Sequence, residues 1–316
     1  MESFYLGLVV DSTETSALLY DDQGKKRAAT VLPNKDFSSS RELLRTATLA
    51  SFEAARDGQL VAAVGLSGLD SAAHRQSAAR MLSALMPANS LVLVGDYLEM
   101  TLAGAADFQP GRLFHSCSDA AVVTLDGRGN FSKAESARDP MGAEGSALWL
   151  GTRTLLLVTR MLTGKMDAEP RLVRAVERFF DTSLEGVMAS LAGIEPERVK
   201  GLSQVTLELS TYPDPVPACR ALVLQACRRL RGLAGELANP GGSWYQGSGL
   251  IGSLRDELAQ QLELHEWSES RAEAVEGAVG LARAGHRVRD DLPETGVTDL
   301  SPLVWQMALQ SGRPNP

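Results

Sequence analysis

The chain has 316 residues, of which 44% are apolar and 22% charged, and it carries a formal net charge of −8 with a pI near 5.2. This length and composition predict a globular protein of two domains with a sizeable core. The acidic balance excludes a protein that binds nucleic acid through clustered Lys and Arg.

No run reaches the roughly 18 consecutive apolar residues that a membrane helix needs, and the N-terminus lacks a basic region followed by an apolar one. We therefore expect a cytoplasmic protein without a membrane segment. The three cysteines, Cys117, Cys219 and Cys227, lack metal-ligand spacing, and the four histidines are scattered. These features predict reduced thiols and no zinc site.

The first third of the chain alternates strands with helices. Strands are predicted at residues 4–10, 16–20 and 26–32, then at 61–66 and 91–94. Helices are predicted at 39–55 and 71–85, and a third begins at Gly95 and Asp96. This order predicts a mixed sheet flanked by helices.

A second cycle starts near Gly111, with strands predicted around 113–115, 120–126 and 130–134. The rest is mostly helical. Helices are predicted at 146–162, 171–180, 183–192, 216–237, 250–264 and 269–283, with a short docking helix at 300–309. Two units that each begin with a strand meander indicate a duplicated architecture.

Two short stretches near residue 240 lack the pattern of a central strand. Residues 235–240 make a poor central strand because Pro240 cannot donate a hydrogen bond to a neighbouring strand. Residues 247–252 spell G-x-G-x-x-G, but no apolar strand precedes them. A loop before a helix is therefore favoured over a dinucleotide site.

Residues 141–151 read M-G-A-E-G-S-A-L-W-L-G, in which Gly142 and Gly145 bracket Glu144 and Ser146 can cap the following helix. By periodicity alone this is a tight turn before a core helix. The string resembles the G-D-E-G-S-G-x-W-L-G signature of the BadF/BadG/BcrA/BcrD ATPase family and its N-acetylglucosamine kinase branch, which belong to the actin/hexokinase/Hsp70 superfamily.

The resemblance spans about residues 4–283. It includes G-L-S-G at 65–68, G-D at 95–96 and G-A-V-G-L-A at 277–282. It implies an α/β, two-domain duplicated ribonuclease-H-like (actin/hexokinase type) fold with an interdomain cleft. The implied units are an N-terminal domain at 1–107, a C-terminal domain with helical insertions at 108–284 and an extension at 285–316.

The resemblance also implies ATP and Mg²⁺ as cofactors, an amino sugar or other small molecule as ligand, and a homodimer as one option. Asp96 matches the general base that accepts the substrate hydroxyl proton, although an Asp there is equally typical of a helix N-cap. The other positions that the resemblance implies are nucleotide contacts at Thr13, Thr15, Ser118, Gly241 and Gly242, and sugar contacts at Asn34 and Glu144. Asp11 becomes the metal contact if the hairpin is two residues shorter than in the family.

Several motifs depart from the family pattern. The first phosphate loop, D-G-G-G-T-K-T, falls on residues 9–15, where Val9 replaces the metal-orienting aspartate and Glu14 replaces the lysine. The second loop, G-T-G-S, falls on residues 116–119 and has neither glycine. The sugar segment G-G-W-G falls on residues 135–138 without its tryptophan, and Ala143 replaces an aspartate.

Three hypotheses follow. In the first, the chain is an ATP-dependent amino-sugar kinase with Asp96 as base. In the second, ATP-dependent phosphorylation is lost or weakened, and the scaffold serves as a binding module. In the third, an acidic cluster in the cleft takes a cation, a polyamine or a metal bound without nucleotide. The members of that cluster would be Asp11, Glu14, Asp96, Asp119 and Glu144.

Overall fold

A computed structural model describes residues 2–10, 14–33, 58–67, 69, 72–87, 90–137, 142–211, 213–239, 241–263, 267–292, 296–300 and 302–311. The helix predicted at 39–55 lies outside the described residues. So do Asp11, Thr13 and Asn34.

The described chain forms ten strands and ten α-helices. The strands are β1 (Ser3–Val10), β2 (Glu14–Asp21), β3 (Lys26–Pro33), β4 (Gln59–Leu66), β5 (Leu91–Asp96), β6 (Gly111–Ser116), β7 (Ala120–Leu125), β8 (Phe131–Glu135), β9 (Ser243–Gly249) and β10 (Gly296–Asp299). The helices are α1 (Ala72–Leu85), α2 (Tyr97–Ala106), α3 (Ala147–Leu162), α4 (Pro170–Phe180), α5 (Leu184–Ala189), α6 (Pro196–Thr211), α7 (Pro217–Glu236), α8 (Ile251–Leu262), α9 (Ala274–Arg287) and α10 (Pro302–Ser311).

The strands form two sheets with related topology. The first has the order β10-β5-β4-β1-β2-β3, and the second has the order β8-β7-β6-β9. In each sheet a meander of three antiparallel strands is extended by a strand parallel to its first member, β4 beside β1 and β9 beside β6. The predicted duplicated α/β fold is confirmed.

Two helices, α2 and α9, lie between the sheets. One buried apolar cluster includes side chains of both helices together with Val61 and Leu93 of the first sheet and Val123 of the second. A Cβ at Gly277 of α9 would lie 2.3 Å from the carbonyl oxygen of Met100 in α2. The absence of a side chain at Gly277 therefore lets the two backbones approach closely.

Most of helix α9 lies within the predicted domain at 108–284, yet the helix packs on β1 and β4 of the first sheet as well as on α2. The boundary at residue 284 stays a prediction. Among the helices that the structure describes, none is long and apolar enough to cross a membrane.

Three described elements were not predicted. Strand β9 lies immediately after Gly241 and Gly242 and includes residues 247–249, so the loop predicted there is wrong. Helix α6 buries Ser203, Thr206 and Ser210 beside Leu202, so its buried stripe is largely polar and lacks an apolar period. Strand β10 has four residues and is recognisable only through its pairing with β5.

Candidate functional site

The carboxyl ends of three parallel strands lie side by side at one edge of the first sheet. Val10 of β1 is paired with Leu66 of β4, and Leu66 with Asp96 of β5. Thr15 of β2 is paired with Val10 and completes the row. Adjacent strands lie about 4.8 Å apart, so Thr15 and Asp96 lie about 14 Å apart along this edge. Such edges are where open α/β sheets bind ligands.

Asp96 is both a helix cap and a group of the cleft. Its Oδ1 accepts the N–H of Leu98 at 2.9 Å, and Oε2 of Glu99 accepts the N–H of Asp96 at 2.8 Å. This reciprocal arrangement is a capping box for α2. The predicted N-cap role is therefore confirmed, and the predicted role as a base stays a prediction.

Lys133 binds the second oxygen of Asp96. Its Nζ lies 2.8 Å from Oδ2 of Asp96 and 3.0 Å from the carboxylate of Glu135. Both Lys133 and Glu135 lie on β8, two residues apart, so their side chains project from the same face of the strand. The ion pair therefore joins the end of the first sheet to the edge of the second.

A cavity of about 460 Å³ opens beside Asp96. It exposes carboxylates, one ammonium group, an amide and aromatic rings, and it lies between the two sheets and the C-terminal segment. Its lining includes Asp96, Glu99, Asn130, Phe131, Lys133, Glu135 and Trp305.

The turn between β6 and β7 contains the matched second phosphate loop. The Tyr97 hydroxyl and a carboxylate oxygen of Asp119 lie 2.6 and 2.9 Å from Nε2 of His115, which is buried. Tyr97 directly follows Asp96 in the chain. The structure thus brings Asp96 and the loop that contains Ser118 close to each other.

Part of the backbone of this turn is bonded within the protein. The N–H of Cys117 donates to the Asp119 carbonyl at 2.9 Å. Two neighbouring segments also donate to the turn: the N–H of Leu148 to the Cys117 carbonyl at 3.2 Å and the N–H of Leu250 to the Ser116 carbonyl at 2.8 Å. A phosphate group needs free N–H donors, and these three already have acceptors.

The described residues do not fit ATP with Mg²⁺. Asp119 adds a carboxylate to the second loop, and the three N–H groups around that loop are already used within the protein. No group of three or more His, Cys, Asp or Glu side chains able to hold a metal ion occurs within the ranges that the structure describes. We therefore derive no chemical step through nucleotide or metal.

Gly249, at the end of β9, lies against the second loop. A Cβ on Gly249 would lie 1.6 Å from the Ser116 carbonyl oxygen, and its φ is +87°. The first three residues of the G-x-G-x-x-G stretch thus end β9, and its last two begin α8. Sequence reasoning missed this position because β9, Ser243–Gly249, contains too few apolar residues to be recognised as a strand.

Gly241 and Gly242 lie at the other end of the same strand. A Cβ on Gly242 would lie 2.1 Å from the Pro110 carbonyl oxygen, next to the start of β6. Strand β6 runs from Gly111 to Ser116, about 17 Å along the sheet. The structure therefore does not bring Gly241 and Gly242 to the loop that contains Ser118.

Glu144 and the other predicted acidic residues have separate partners. Glu144 Oε1 accepts from Nε2 of Gln225 at 2.6 Å, and Glu14 Oε1 accepts from the Ser16 hydroxyl at 2.9 Å. Asp96 is paired with Lys133, and Asp119 with His115. For the described members, the predicted convergence into one cation site is wrong.

Lys200 is a cation near the second loop that sequence reasoning missed. Its Nζ lies 3.6 Å from Sγ of Cys117 and forms an ion pair with Glu197. Burial acts to lower the pKa of Lys200, but Glu197 and Cys117 outweigh it and hold the pKa above its ordinary value. The ammonium group of Lys200 therefore binds side chains of the protein itself.

A larger cavity, of about 960 Å³, lies against β2, β3 and residues 270–276. Its lining includes Val9 and Glu14, where the family has its metal-orienting aspartate and its lysine. The charged groups of the lining are Glu14, Lys26, Arg271, Glu273 and Glu276. Three carboxylates among these five groups disfavour a polyphosphate.

Comparison with solved structures confirms the fold. A candidate N-acetylglucosamine kinase of Chromobacterium violaceum superimposes with a TM-score of 0.74 at 23% identity, over 89% of this chain and 98% of that chain. A second candidate N-acetylglucosamine kinase, from Porphyromonas gingivalis, gives a TM-score of 0.59 at 18% identity, over 91% of this chain and 99% of that chain.

A glucokinase of the ROK family from Streptomyces griseus, solved with glucose and AMPPNP, gives a TM-score of 0.50 at 14% identity, over 90% of this chain and 99% of that chain. No protein-family model matches the chain, and no curated protein matches it either. The chain therefore has the fold of these kinases.

Proposed function

We propose that this chain is a relative of the N-acetylglucosamine kinases, within the BadF/BadG/BcrA/BcrD ATPase family, that has lost or weakened ATP-dependent sugar phosphorylation. Its two-domain scaffold then serves as a binding module for a small polar molecule. The predicted cytoplasmic location, the optional homodimer and the domain limits at 107 and 284 stay predictions within this proposal.

The turn at residues 116–119 carries the proposal. Phosphoryl transfer depends on positioning the phosphates with backbone N–H groups and cations, and on a base for the attacking hydroxyl. Here the N–H of Cys117 is bonded inside the turn, and the turn contains the Asp119 carboxylate. The nearby ammonium of Lys200 contacts Glu197 and Cys117. A triphosphate would have to displace these contacts and overcome the Asp119 charge.

The cavity beside Asp96 is the site that we propose for the ligand. Asp96 and Glu135 accept hydrogen bonds and Lys133 donates them, while Phe131 supplies an apolar wall. Groups of both signs around about 460 Å³ suit a small hydroxylated or zwitterionic molecule, such as an amino sugar. These donors and acceptors can bind such a molecule without a nucleotide in the site.

An active amino-sugar kinase is the second candidate. The position of Asp96 favours it, because the carboxylate lies at the end of a parallel strand and opens into a cavity between the sheets. Against it, Lys133 already holds Oδ2 at 2.8 Å. To take a hydroxyl proton, Asp96 must either lose its contact with Lys133 or keep Lys133 as a part of the working site.

Titration calorimetry separates the two. The protein is titrated with ATP and Mg²⁺ to millimolar concentration, and then with N-acetylglucosamine, with and without nucleotide. We expect no saturable heat from ATP. Saturable binding of the sugar that is weakened in Asp96→Asn supports a binding module in the proposed cavity. A micromolar Kd for ATP in the wild type would overturn the proposal.

A further inference from the structure

The C-terminal segment, residues 296–300 and 302–311, is bound to the first sheet. Strand β10 pairs in parallel with β5, from Gly296 beside Leu91 to Asp299 beside Val94. Beyond it, the N–H of Leu300 donates to the Val94 carbonyl at 2.8 Å. The segment therefore extends the sheet next to the strand that ends in Asp96.

The same segment contacts the second sheet through the turn between β7 and β8. A Cβ on Gly129 would lie 2.6 Å from the carbonyl oxygen of Pro302 and 2.9 Å from Cβ of Trp305. Nε2 of Gln306 donates to the Arg128 carbonyl at 2.8 Å. One short helix is thus packed closely on a turn of the opposite sheet.

Trp305 connects this segment to Asp96. The Trp305 side chain is almost fully buried, with 1% of its surface exposed, and its indole N–H donates to Oε1 of Glu99 at 3.4 Å. The other oxygen of Glu99 accepts the N–H of Asp96 at 2.8 Å. The indole therefore restrains the carboxylate that fixes the backbone of Asp96.

We propose that residues 296–300 and 302–311 form a strap across the two sheets that walls the Asp96 cavity, with Trp305 as a positioning residue that acts on Asp96 through Glu99. Leu300, Pro302 and Trp305 line the cavity, so the strap sets its width. Opening the sheets on this side breaks the contacts at Gly129 and Arg128. The inference rests on the proposed function only in taking this cavity as the ligand site.

Hydrogen exchange tests the strap without any ligand. Trp305→Phe keeps a ring of similar shape and removes the N–H that reaches Glu99. Gly129→Ala places a methyl group against Pro302 and Trp305. We expect each change to speed exchange at the N–H groups of Asp96 and Leu98 by about fivefold, roughly the effect of losing one net hydrogen bond.

Matched controls are present in the chain. Trp267→Phe removes an indole whose Nε1 has no hydrogen-bond partner among the described residues. Gly164→Ala adds a methyl group at a φ of +66° with nothing within 4 Å. Unchanged exchange at Asp96 and Leu98 in both test variants, or an equal rise in the controls, overturns the proposal.

The readout is independent of the proposed function. If the chain proves to be an active kinase, the strap still predicts faster exchange at Asp96 in Trp305→Phe. If Trp305→Phe does not fold, Gly129→Ala decides alone, because it leaves the indole in place and moves the strap from the opposite sheet.

Discussion

Three thiols illustrate how surroundings decide the chemistry of a residue. Cys117 is half-buried beside Lys200, whereas Cys219 and Cys227 are fully buried among helices. Burial raises the pKa of Cys219 and of Cys227 to about 12, with Glu169 and Glu257 adding to the respective shifts. The two buried thiols therefore stay protonated across the physiological range.

Thiol labelling at pH 8 checks this difference. A pKa of about 12 leaves only about one thiol in ten thousand ionised at pH 8, and burial also blocks the reagent. We expect Cys117 alone to react in the native protein and all three cysteines after unfolding in denaturant. Cys117→Ser is the control, since it should abolish native labelling. Rapid native labelling of Cys219 or Cys227 would contradict the described packing.

Local residue patterns predicted part of the site. Gly142 and Gly145 adopt φ values of +89° and +95°, and the Ser146 hydroxyl accepts the N–H of Trp149 at 3.0 Å as the cap of α3. These features depend on neighbours a few residues away, so they can be predicted from residues 141–151 alone. The Asp96 cap was predicted for the same reason.

Local patterns could not predict the partners of the site residues. Lys133 is 37 residues from Asp96 in the chain, and Lys200 is 83 residues from Cys117. Such contacts depend on how two sheets and an inserted helix pack together. The alternation of Phe131, Lys133 and Glu135 on β8 does place them on one face, but it does not say which carboxylate that face meets.

Among the secondary-structure elements, strand β9 and the second loop pack against each other. The two segments meet where the Leu250 N–H bonds to Ser116 and where Gly249 touches the Ser116 carbonyl. The turn is thereby fixed from two sides, by the start of α8 and by the start of α3. A turn held in this way has little freedom to rearrange around a phosphate.

Gly249→Ala tests this arrangement. The new methyl group would overlap the Ser116 carbonyl, and the φ of +87° is unfavourable for alanine. We expect the free energy of unfolding to fall by about 3 kcal/mol, from strain and overpacking together. Gly164→Ala, with a φ of +66° and open space, should cost only about 1 kcal/mol. Urea unfolding of both variants measures the difference, and equal losses would contradict the close contact.

Predicted elements succeeded where the apolar pattern was strong. The strands at 4–10, 61–66 and 91–94 lie within β1, β4 and β5, whose residues are mostly buried. Helix α6 and strand β9 were missed because Ser, Thr, Gln and Gly occupy positions that an apolar residue usually fills. In both elements tertiary packing overrides the local signal.

At the scale of the whole molecule, the two sheets share one core around α2 and α9. The repeated order of strands predicted this duplication, and the solved kinase structures confirm the fold. The strap could not be predicted, because its strand is short and the role of its helix depends on the contact with the turn between β7 and β8.

Phosphoryl transfer from ATP to N-acetylglucosamine, compared between the wild type and Asp96→Asn, tests the central claim most directly. A working general base contributes about 10²- to 10⁴-fold to the rate. Because the second loop is bonded within the protein, we predict that the wild type and Asp96→Asn show the same background rate of phosphoryl transfer. A wild-type rate at least about a hundredfold above that of Asp96→Asn would show that the reaction is retained and would contradict the account.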